Sequence, residues 1–457
     1  MRIDKNFIKD LAKTLDNFHY ESIVTMMIGV SVYDSPIVNY AQIKHNIAKF
    51  DKRTQDIILF WYTGDAKPVE TISSFLGEKL FNYLYDIDLL NYDEEFCWLN
   101  NFLIIPYLNC YFVVSNTPNY PTCQDNNPCP YIGPDSYWLA RRVVNKVHGK
   151  VLDLCTGSGI QAILSAKQAE SVVAVDIDKT ALEIAKFNAI LNNVDDRIDF
   201  RCGNLYEVLD SEKFDYILSN PPFVPIPEEV DFSICGDGGE SGKDLINFIL
   251  NGYKKYLSPG GMGIMVGQAL GNDLYTFLED DIKVYCKDMK ASLMLWGNAP
   301  ITSLVGQTMM LAKQRNINND LPFDVWKNRF TSKGASVLYT FTLFVTNCEG
   351  CLSTVYSKDN WNETDVPVTG LHKVEKVGEC FNLLFNEGIS YICDDEQKYF
   401  IEQIDGTRTV KDIVDSFPLR YKVKHNISEW GLSLSYLTLC GTLERMGILK
   451  KERRMDN

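Results

Sequence analysis

From Val151 the sequence alternates between short runs rich in branched apolar residues and stretches with helical spacing, and this rhythm restricts the fold more than any other feature. "KVLDL" is followed by the Gly-rich turn "CTGSG", the helical "IQAILSAKQA" and the strand-like "SVVAVDID". Then come a helix "KTALEIAKFNAILNN", a strand "IDFRCG" and a strand "FDYILSN". After a loop follow a helix "KDLINFILNGYKKYL" and a strand "GGMGIMVGQ". Strands that alternate with helices need crossover connections, so the sheet is expected to be mostly parallel and covered on both faces. The fold class is α/β, a Rossmann-like doubly wound sheet. "ASVLYTFTLFVTN", residues 335–347, is long enough to be its last strand.

At 457 residues the chain exceeds one ordinary core. Residues 1–118 are expected to form an N-terminal helical or winged-helix-like substrate or lid module, 119–350 the central domain, and 351–457 a small α+β winged-helix-like module. "DKRTQDIILFWYTG" and "VETISSFLGEKLFNYLYDIDLLNY" have amphipathic helical spacing, and "FLIIPYLNCYFVVS" has room for one or two strands. "NTPNYPTCQDNNPCPYIGPDS" lacks any period and reads as a linker or lid loop over the strand ends. "EQKYFIEQIDGTRTVKDIVDSF" and "GLSLSYLTLCGTLERMGILKKE" are expected to form two or three helices, serving recognition, packing or dimerisation.

Charge narrows the partners. A formal net charge of −15 lacks the basic footprint that phosphate neutralisation demands, so free nucleic acid is disfavoured as a partner. A membrane span needs about 18 or more consecutive apolar residues and none is present, and "IVTMMIGVSVY" lacks the marks of a signal peptide. Thirteen cysteines without framework spacing suit reduced thiols in a cytoplasm. Cys348 and Cys351, with the loose pair Cys123 and Cys129, do not amount to a zinc set, so no metal is expected.

The Gly-rich turn carries Gly157 and Gly159 between a strand and a helix, beside Thr156. Such a turn lets backbone approach a ligand and aims helix N–H groups at it. Asp153, at the preceding strand end, is unwelcome in a phosphate cradle but suits a ligand bearing an ammonium and a sulfonium. Asp176, followed by Ile177, ends the next strand and can take both hydroxyls of a ribose; its simpler role would be a helix N-cap. Asn204, followed by Leu205, ends a third strand and can meet an adenine edge. These residues would line the carboxyl ends of neighbouring strands, and the ligand they fit is S-adenosylmethionine.

"SNPPFVPIP", residues 219–227, starts where the buried strand "FDYIL" ends. Pro221 and Pro222 fix φ and donate no N–H, so the corner is stiff. The Asn220 side-chain oxygen and the Pro221 carbonyl can accept the two hydrogens of a planar –NH2 while Phe223 packs on the flat group that carries it. Such acceptors favour a transition state in which positive charge develops on nitrogen.

The stretches "VLDLCTGSGIQAILSA", "VVAVDIDKTALEIAKFNA", "GNLYEVL" and "FDYILSNPPFV" resemble a class I S-adenosylmethionine-dependent methyltransferase of the methyltransferase small domain type. Within it they are similar to the release-factor glutamine methyltransferases and the amino-directed adenine and guanine methyltransferases. "DGGESGKDLINFIL" resembles the segment that follows the Asn-Pro-Pro corner in the glutamine enzymes. The resemblance covers residues 130–350 and implies that Gly133, Pro134, Asp135 and Ser136 line the methionine end of the cofactor. The usual Asp at the adenine position is Asn204 here. The implied activity is methyl transfer to an amide or amine nitrogen of a peptide, protein or small metabolite, with Asn220, Pro221, Pro222 and Phe223 as the catalytic corner. The alternatives are a nucleic-acid base methyltransferase and a non-catalytic binding module that keeps the cofactor fold.

Overall fold

The computed structural model describes residues 3–28, 40–115, 130–230, 232, 235–272, 274–314, 321–356, 367–378, 380–386, 390–418 and 448–451, together with Tyr436, Leu439, Cys440 and Leu443. The chain begins with α1 (Lys5–Asn17), α2 (Tyr20–Ile28), α3 (Tyr40–Ile47) and α4 (Lys52–Thr63). The Asp4 carboxylate caps α1 by accepting the Asn6 N–H, and Ile8, Leu11, Ala12 and Leu15 form its buried stripe. Next come β1 (Lys67–Pro68), α5 (Val69–Leu76), α6 (Glu78–Asp86), β2 (Leu90–Tyr92) and β3 (Phe96–Leu99), paired in the order β1-β3-β2. The stretch from Val69 to Tyr92 is therefore two helices and a strand, not one helix. Gly77, at φ +76°, stops α5, and Asp88, at φ +63°, turns the chain into β2. A hairpin follows, β4 (Phe102–Pro106) with β5 (Tyr111–Ser115), closed through Leu108 and Asn109 at positive φ.

The central domain runs α7 (Pro134–Val143), β6 (Lys150–Leu154), α8 (Ile160–Ala166), β7 (Ser171–Asp176), α9 (Lys179–Leu191), β8 (Ile198–Cys202), β9 (Phe214–Ser219), α10 (Asp244–Tyr256), β10 (Leu257–Gly271), α11 (Leu278–Tyr285), β11 (Lys290–Pro300), α12 (Ile301–Gln314), α13 (Phe323–Thr331), β12 (Val337–Thr346) and β13 (Leu352–Tyr356). Its eight strands order as β13-β11-β12-β10-β9-β6-β7-β8. Pairs among β6 to β10 are parallel, whereas β12 runs antiparallel to both β10 and β11. Val151, Val172 and Leu218 face a core with α7, α8 and α9, while Leu152, Val173 and Ile217 face one with α10 and α11. The doubly wound sheet is thus as expected, but the segment at 335–347 is not its last strand. β11 and β13 extend the sheet beyond β12, and β11 alternates buried Ala291, Leu293 and Leu295 with half-buried or exposed positions. That one-sided pattern is weaker than the continuous apolar run of a strand buried on both faces.

The N-terminal elements share the first core: Ile8, Leu11 and Trp61 belong to one apolar cluster with Phe187, Ile190 and Val266. The β4–β5 hairpin is fastened to α9 by asparagines one helical turn apart. Asn188 accepts the Val113 N–H at 2.7 Å and donates to the Val113 carbonyl at 3.0 Å. Asn192 does the same for Tyr111, at 2.9 and 2.7 Å. The two side chains thereby satisfy an edge that would otherwise be an open template.

The C-terminal elements are β14 (Pro367–Thr369), β15 (Leu371–Val377), β16 (Cys380–Phe385), β17 (Ser390–Cys393), α14 (Asp395–Glu402), α15 (Val410–Asp415) and β18 (Leu449–Lys451). β15, β16 and β17 form an antiparallel sheet and β14 pairs with β18 around a separate apolar cluster. Thr409 and Asp412 make a reciprocal capping box on α15. The stretch "GLSLSYLTLCGTLERMGILKKE" lies largely outside the described residues. No helix among the described residues is long and apolar enough to cross a membrane.

Candidate active site

Register fixes which residues meet at the carboxyl ends of the parallel strands. Leu154 of β6 lies opposite Ser219 of β9 on one side and Val175 of β7 on the other, and Asp176 lies opposite Cys202 of β8. Asn220, the Asp153–Thr156 segment, Asp176 and Asn204 therefore leave four adjacent strand ends in a row, the place where open α/β sheets bind ligands.

The Gly-rich turn is built around two carboxylates. One oxygen of Asp153 accepts from the Thr156 hydroxyl at 2.6 Å and from the Ala162 N–H at 3.1 Å, and its other oxygen receives no hydrogen bond among the described residues. Asp176 accepts the N–H of Gly157 at 2.8 Å on one oxygen and that of Asp178 at 3.0 Å on the other. Gly157 and Gly159 both have positive φ, and a Cβ on Gly159 would stand 3.0 Å from Ala185 Cβ. Cys155 and Leu205, neither of them glycine, also take positive φ, the first after β6 and the second after β8, on either side of β7. Asp176 is not the N-cap of α9; Asp178 is, through the Thr180 N–H at 2.8 Å.

Burial drives the electrostatics. Asp153 is 1% exposed, and desolvation pushes its pKa up to about 7 against the hydrogen bonds from Thr156 and Ala162, with the neighbouring Asp176 adding to the rise. Burial raises Asp176 as well, opposed by the amides of Asp178 and Gly157. Among the described residues no cation contributes to either carboxyl. A buried and a half-buried acid without a counter-charge among the described residues fit a cationic nucleoside ligand and not a diphosphate, so the donor set is compatible with S-adenosylmethionine. Ile177, 55% exposed, presents an apolar surface beside Asp176, and Asn204 donates to Glu207 at 3.1 Å, leaving its amide oxygen open.

At the corner, the Asn220 side-chain NH2 donates to Asp135 Oδ2 at 2.5 Å and to Ser136 Oγ at 3.3 Å. The Asn220 oxygen is buried with no hydrogen-bond partner among the described residues. Asp135 and Ser136 occupy the first turn of α7, which begins with Pro134 after the N-cap Gly133. A Cβ on Gly133 would lie 2.5 Å from Asp135 Oδ1 and 2.9 Å from the Tyr131 ring, so only glycine leaves that carboxylate its place. A second loop braces the corner. Val224 exchanges backbone hydrogen bonds with Gly236 and Gly238, and Ile226 donates to Gly239. A Cβ on Gly238 would stand 2.8 Å from the Phe223 backbone, and one on Gly242 would stand 2.5 Å from the Phe223 carbonyl oxygen. Pro221 is buried, while Pro222 and Phe223 are half-buried, the latter against the α10 side core. Downstream, Ile226 and Val230 are anchored among Leu304, Val305, Trp326 and Phe330 of α12 and α13.

Asp135 and Ser136 thus come together with Asn220, and Asp153, Thr156, Gly157 and Asp176 come together around the Gly-rich turn, with Ile177, Asn204 and Leu205 one and two strands further along. Two supporting residues escaped the sequence reading. Gln161 donates to the Ser136 carbonyl at 2.8 Å, and Asn188 donates to the Ser158 carbonyl at 2.9 Å. Their only signal is a polar residue within an apolar helix face. The loop at 116–129, including Cys123 and Cys129, lies outside the described residues. Cys348 and Cys351 are exposed free thiols, and no cluster of metal-ligating side chains occurs among the described residues.

Residues 132–272 match the family model described as methyltransferase small domain. The ribosomal protein uL3 glutamine methyltransferase of Bradyrhizobium diazoefficiens is 37% identical over 135 residues, which is 27% of this chain and 42% of that protein. The release factor glutamine methyltransferase of Clostridium acetobutylicum is 33% identical over 166 residues, 32% of this chain and 58% of that protein. The bifunctional methyltransferase of Rickettsia prowazekii is 29% identical over 209 residues, 41% of this chain and 40% of that protein. The chain spans roughly half the length of these curated relatives.

Proposed function

We propose, taking as premise that the central domain is a class I methyltransferase of the small-domain type, that this chain methylates the side-chain amide nitrogen of a glutamine in a protein or peptide. One observation carries the reading. Asn220 keeps its donor end tied to Asp135 and Ser136 and leaves a buried oxygen with no donor to satisfy it among the described residues. A buried unpaired acceptor is costly, and an –NH2 group is the complement that would repay it. The glutamine specificity of the named relatives supports the same choice.

Asp153, Thr156, Gly157, Gly159, Asp176, Ile177, Asn204 and Leu205 would hold S-adenosylmethionine, which when bound supplies an electrophilic methyl group on a sulfonium. Asn220 and the Pro221 carbonyl would accept the two N–H groups of the substrate amide, drawing its lone pair out of conjugation, and Phe223 would pack on the amide plane. Held there, the nitrogen would take the methyl as the sulfonium leaves as a neutral thioether, and it would then give up one proton to solvent. The acceptors contribute because they strengthen as positive charge develops on nitrogen. In this reading residues 1–118 wall the acceptor side as a winged-helix-like module, 119–350 carry the chemistry, and 351–457 form a further winged-helix-like module. The helix, strand, helix, helix, hairpin order from α4 to β3 supports the first of these.

The test is mass spectrometry of a cell extract incubated with the protein and S-adenosylmethionine bearing an isotopically labelled methyl. The expected product is a peptide with the label on glutamine. Label on nucleic acid alone, with binding that falls steeply with salt, would overturn the reading.

A further inference from the structure

We infer that Asp135 is a positioning residue for the methyl acceptor, acting through Asn220, rather than a contact for the cofactor. The inference rests on the proposed function and deepens it.

A carboxamide has two orientations of nearly equal shape, half a turn apart, and only one aims the oxygen at a substrate –NH2. Nothing in Asn220 itself chooses between them. Asp135 chooses, because an ionised carboxylate accepts and never donates. With Asn220 Nδ2 at 2.5 Å from Asp135 Oδ2, the flipped amide would set two oxygens against each other at that separation. Ser136 Oγ, at 3.3 Å from the same nitrogen, offers a weaker second acceptor. The carboxylate is itself immobilised. It lies in the first turn of α7, where the helix N-terminus favours negative charge. The missing side chain of Gly133 makes its room, and Gln161 ties α7 to α8 through the Ser136 carbonyl. Burial raises the Asp135 pKa, and the bond from Asn220, with the amides of Asp135 and Ser136, works against that rise. A charged acceptor on the amide NH2 also polarises the amide and strengthens its oxygen as an acceptor. The sequence resemblance had placed Asp135 at the methionine end of the cofactor; its geometry puts it behind the asparagine.

The experiment uses the full chain and a synthetic glutamine peptide found to be methylated. Single-turnover methyl transfer and calorimetric titration with S-adenosylmethionine are measured for the parent, Asp135→Ala, Asp135→Asn, Asn220→Ala and Asp135→Ala/Asn220→Ala. The inference expects Asp135→Ala to slow transfer about 10²-fold, the scale of losing one transition-state contact, with cofactor affinity within about twofold of the parent. Asp135→Asn keeps an acceptor oxygen of the same size but can also donate to a flipped Asn220, so it should recover only part of that loss. In the Asn220→Ala background, Asp135→Ala should cause no further loss. A cofactor affinity lowered about tenfold, or losses that multiply in the double variant, would overturn it. If Asp135→Ala does not fold, Asp135→Asn carries the test through the side-chain amide resonances of Asn220 in protein labelled with 15N-asparagine. They should shift in that variant, and unchanged resonances would overturn the inference. A parent that methylates no glutamine peptide defeats the proposed function instead, while the amide resonances still report on the Asp135–Asn220 pair.

Discussion

Asp153 is the residue whose chemistry responds most directly to pH. Its folded pKa of about 7 lies above its ordinary value of 3.8, so between those values the folded chain holds a proton that the unfolded chain has lost. Stability from this group is fully present below about pH 4, falls as pH rises and levels off above about 7. A bound sulfonium or ammonium favours the ionised form, so cofactor binding below about pH 7 should release a proton and weaken as the pH drops. Calorimetry in buffers of differing ionisation enthalpy should count that proton, and Asp153→Asn should abolish the count. A pH-independent affinity in the parent would show that Asp153 does not face the cation. The glycines of the second loop respond to volume instead. Gly238→Ala would force a methyl to within 2.8 Å of the Phe223 backbone. The expected cost is about 1–3 kcal/mol in urea unfolding, with a slower transfer step because the corner itself moves. Unchanged unfolding and turnover would mean the loop yields instead.

At the scale of elements, Asn188 concentrates the most structure in one side chain. It is 0% exposed and serves the Val113 N–H, the Val113 carbonyl and the Ser158 carbonyl. Asn188→Ala strands three buried backbone groups and should cost about 3 kcal/mol or more. Asn192→Ala, at the more open end of the same helix, should cost less, and chemical denaturation of both variants checks the order. Hydrogen exchange should accelerate at Val113 in the Asn188 variant. What the sequence made legible follows the same division. Strands β7, β9 and β10 announce themselves through the apolar runs Val172–Val175, Tyr216–Leu218 and Ile264–Val266, and the strand-end residues Asp153, Asp176, Asn204 and Asn220 stand out as polar side chains where apolar runs stop. β11 does carry an apolar run, Leu293–Trp296, but Met294 within it is exposed, and β13 has no buried position among its described side chains. The Asp135–Asn220 bond joins residues 85 positions apart, and no local period records a contact of that kind. Asn188 was equally silent, because an asparagine in an apolar helix does not say which strand it will serve.

At the scale of the molecule, the N-terminal elements are not an appendage. Ile8, Leu11 and Leu15 share one core with Phe187, Ile190 and Val194, and the Lys5 ammonium pairs with Asp195 at 2.6 Å. Removing residues 1–132 would uncover that face of α9. Reading the central domain as self-sufficient predicts that it binds cofactor alone; the shared core predicts instead that the shortened chain is insoluble or loses its cooperative thermal transition. Calorimetric scanning separates the two, and a shortened chain with an undiminished transition would show that the central core closes without its neighbour. The doubled role of Asn188 carries this into descent. Its one carboxamide reads the hairpin on one side and the Gly-rich turn on the other, so a hairpin exchanged without α9 would arrive facing a helix that no longer recognises it. A unit that lineages of such proteins could trade intact is the hairpin together with that helix, because both halves of the Asn188 and Asn192 contacts then travel together.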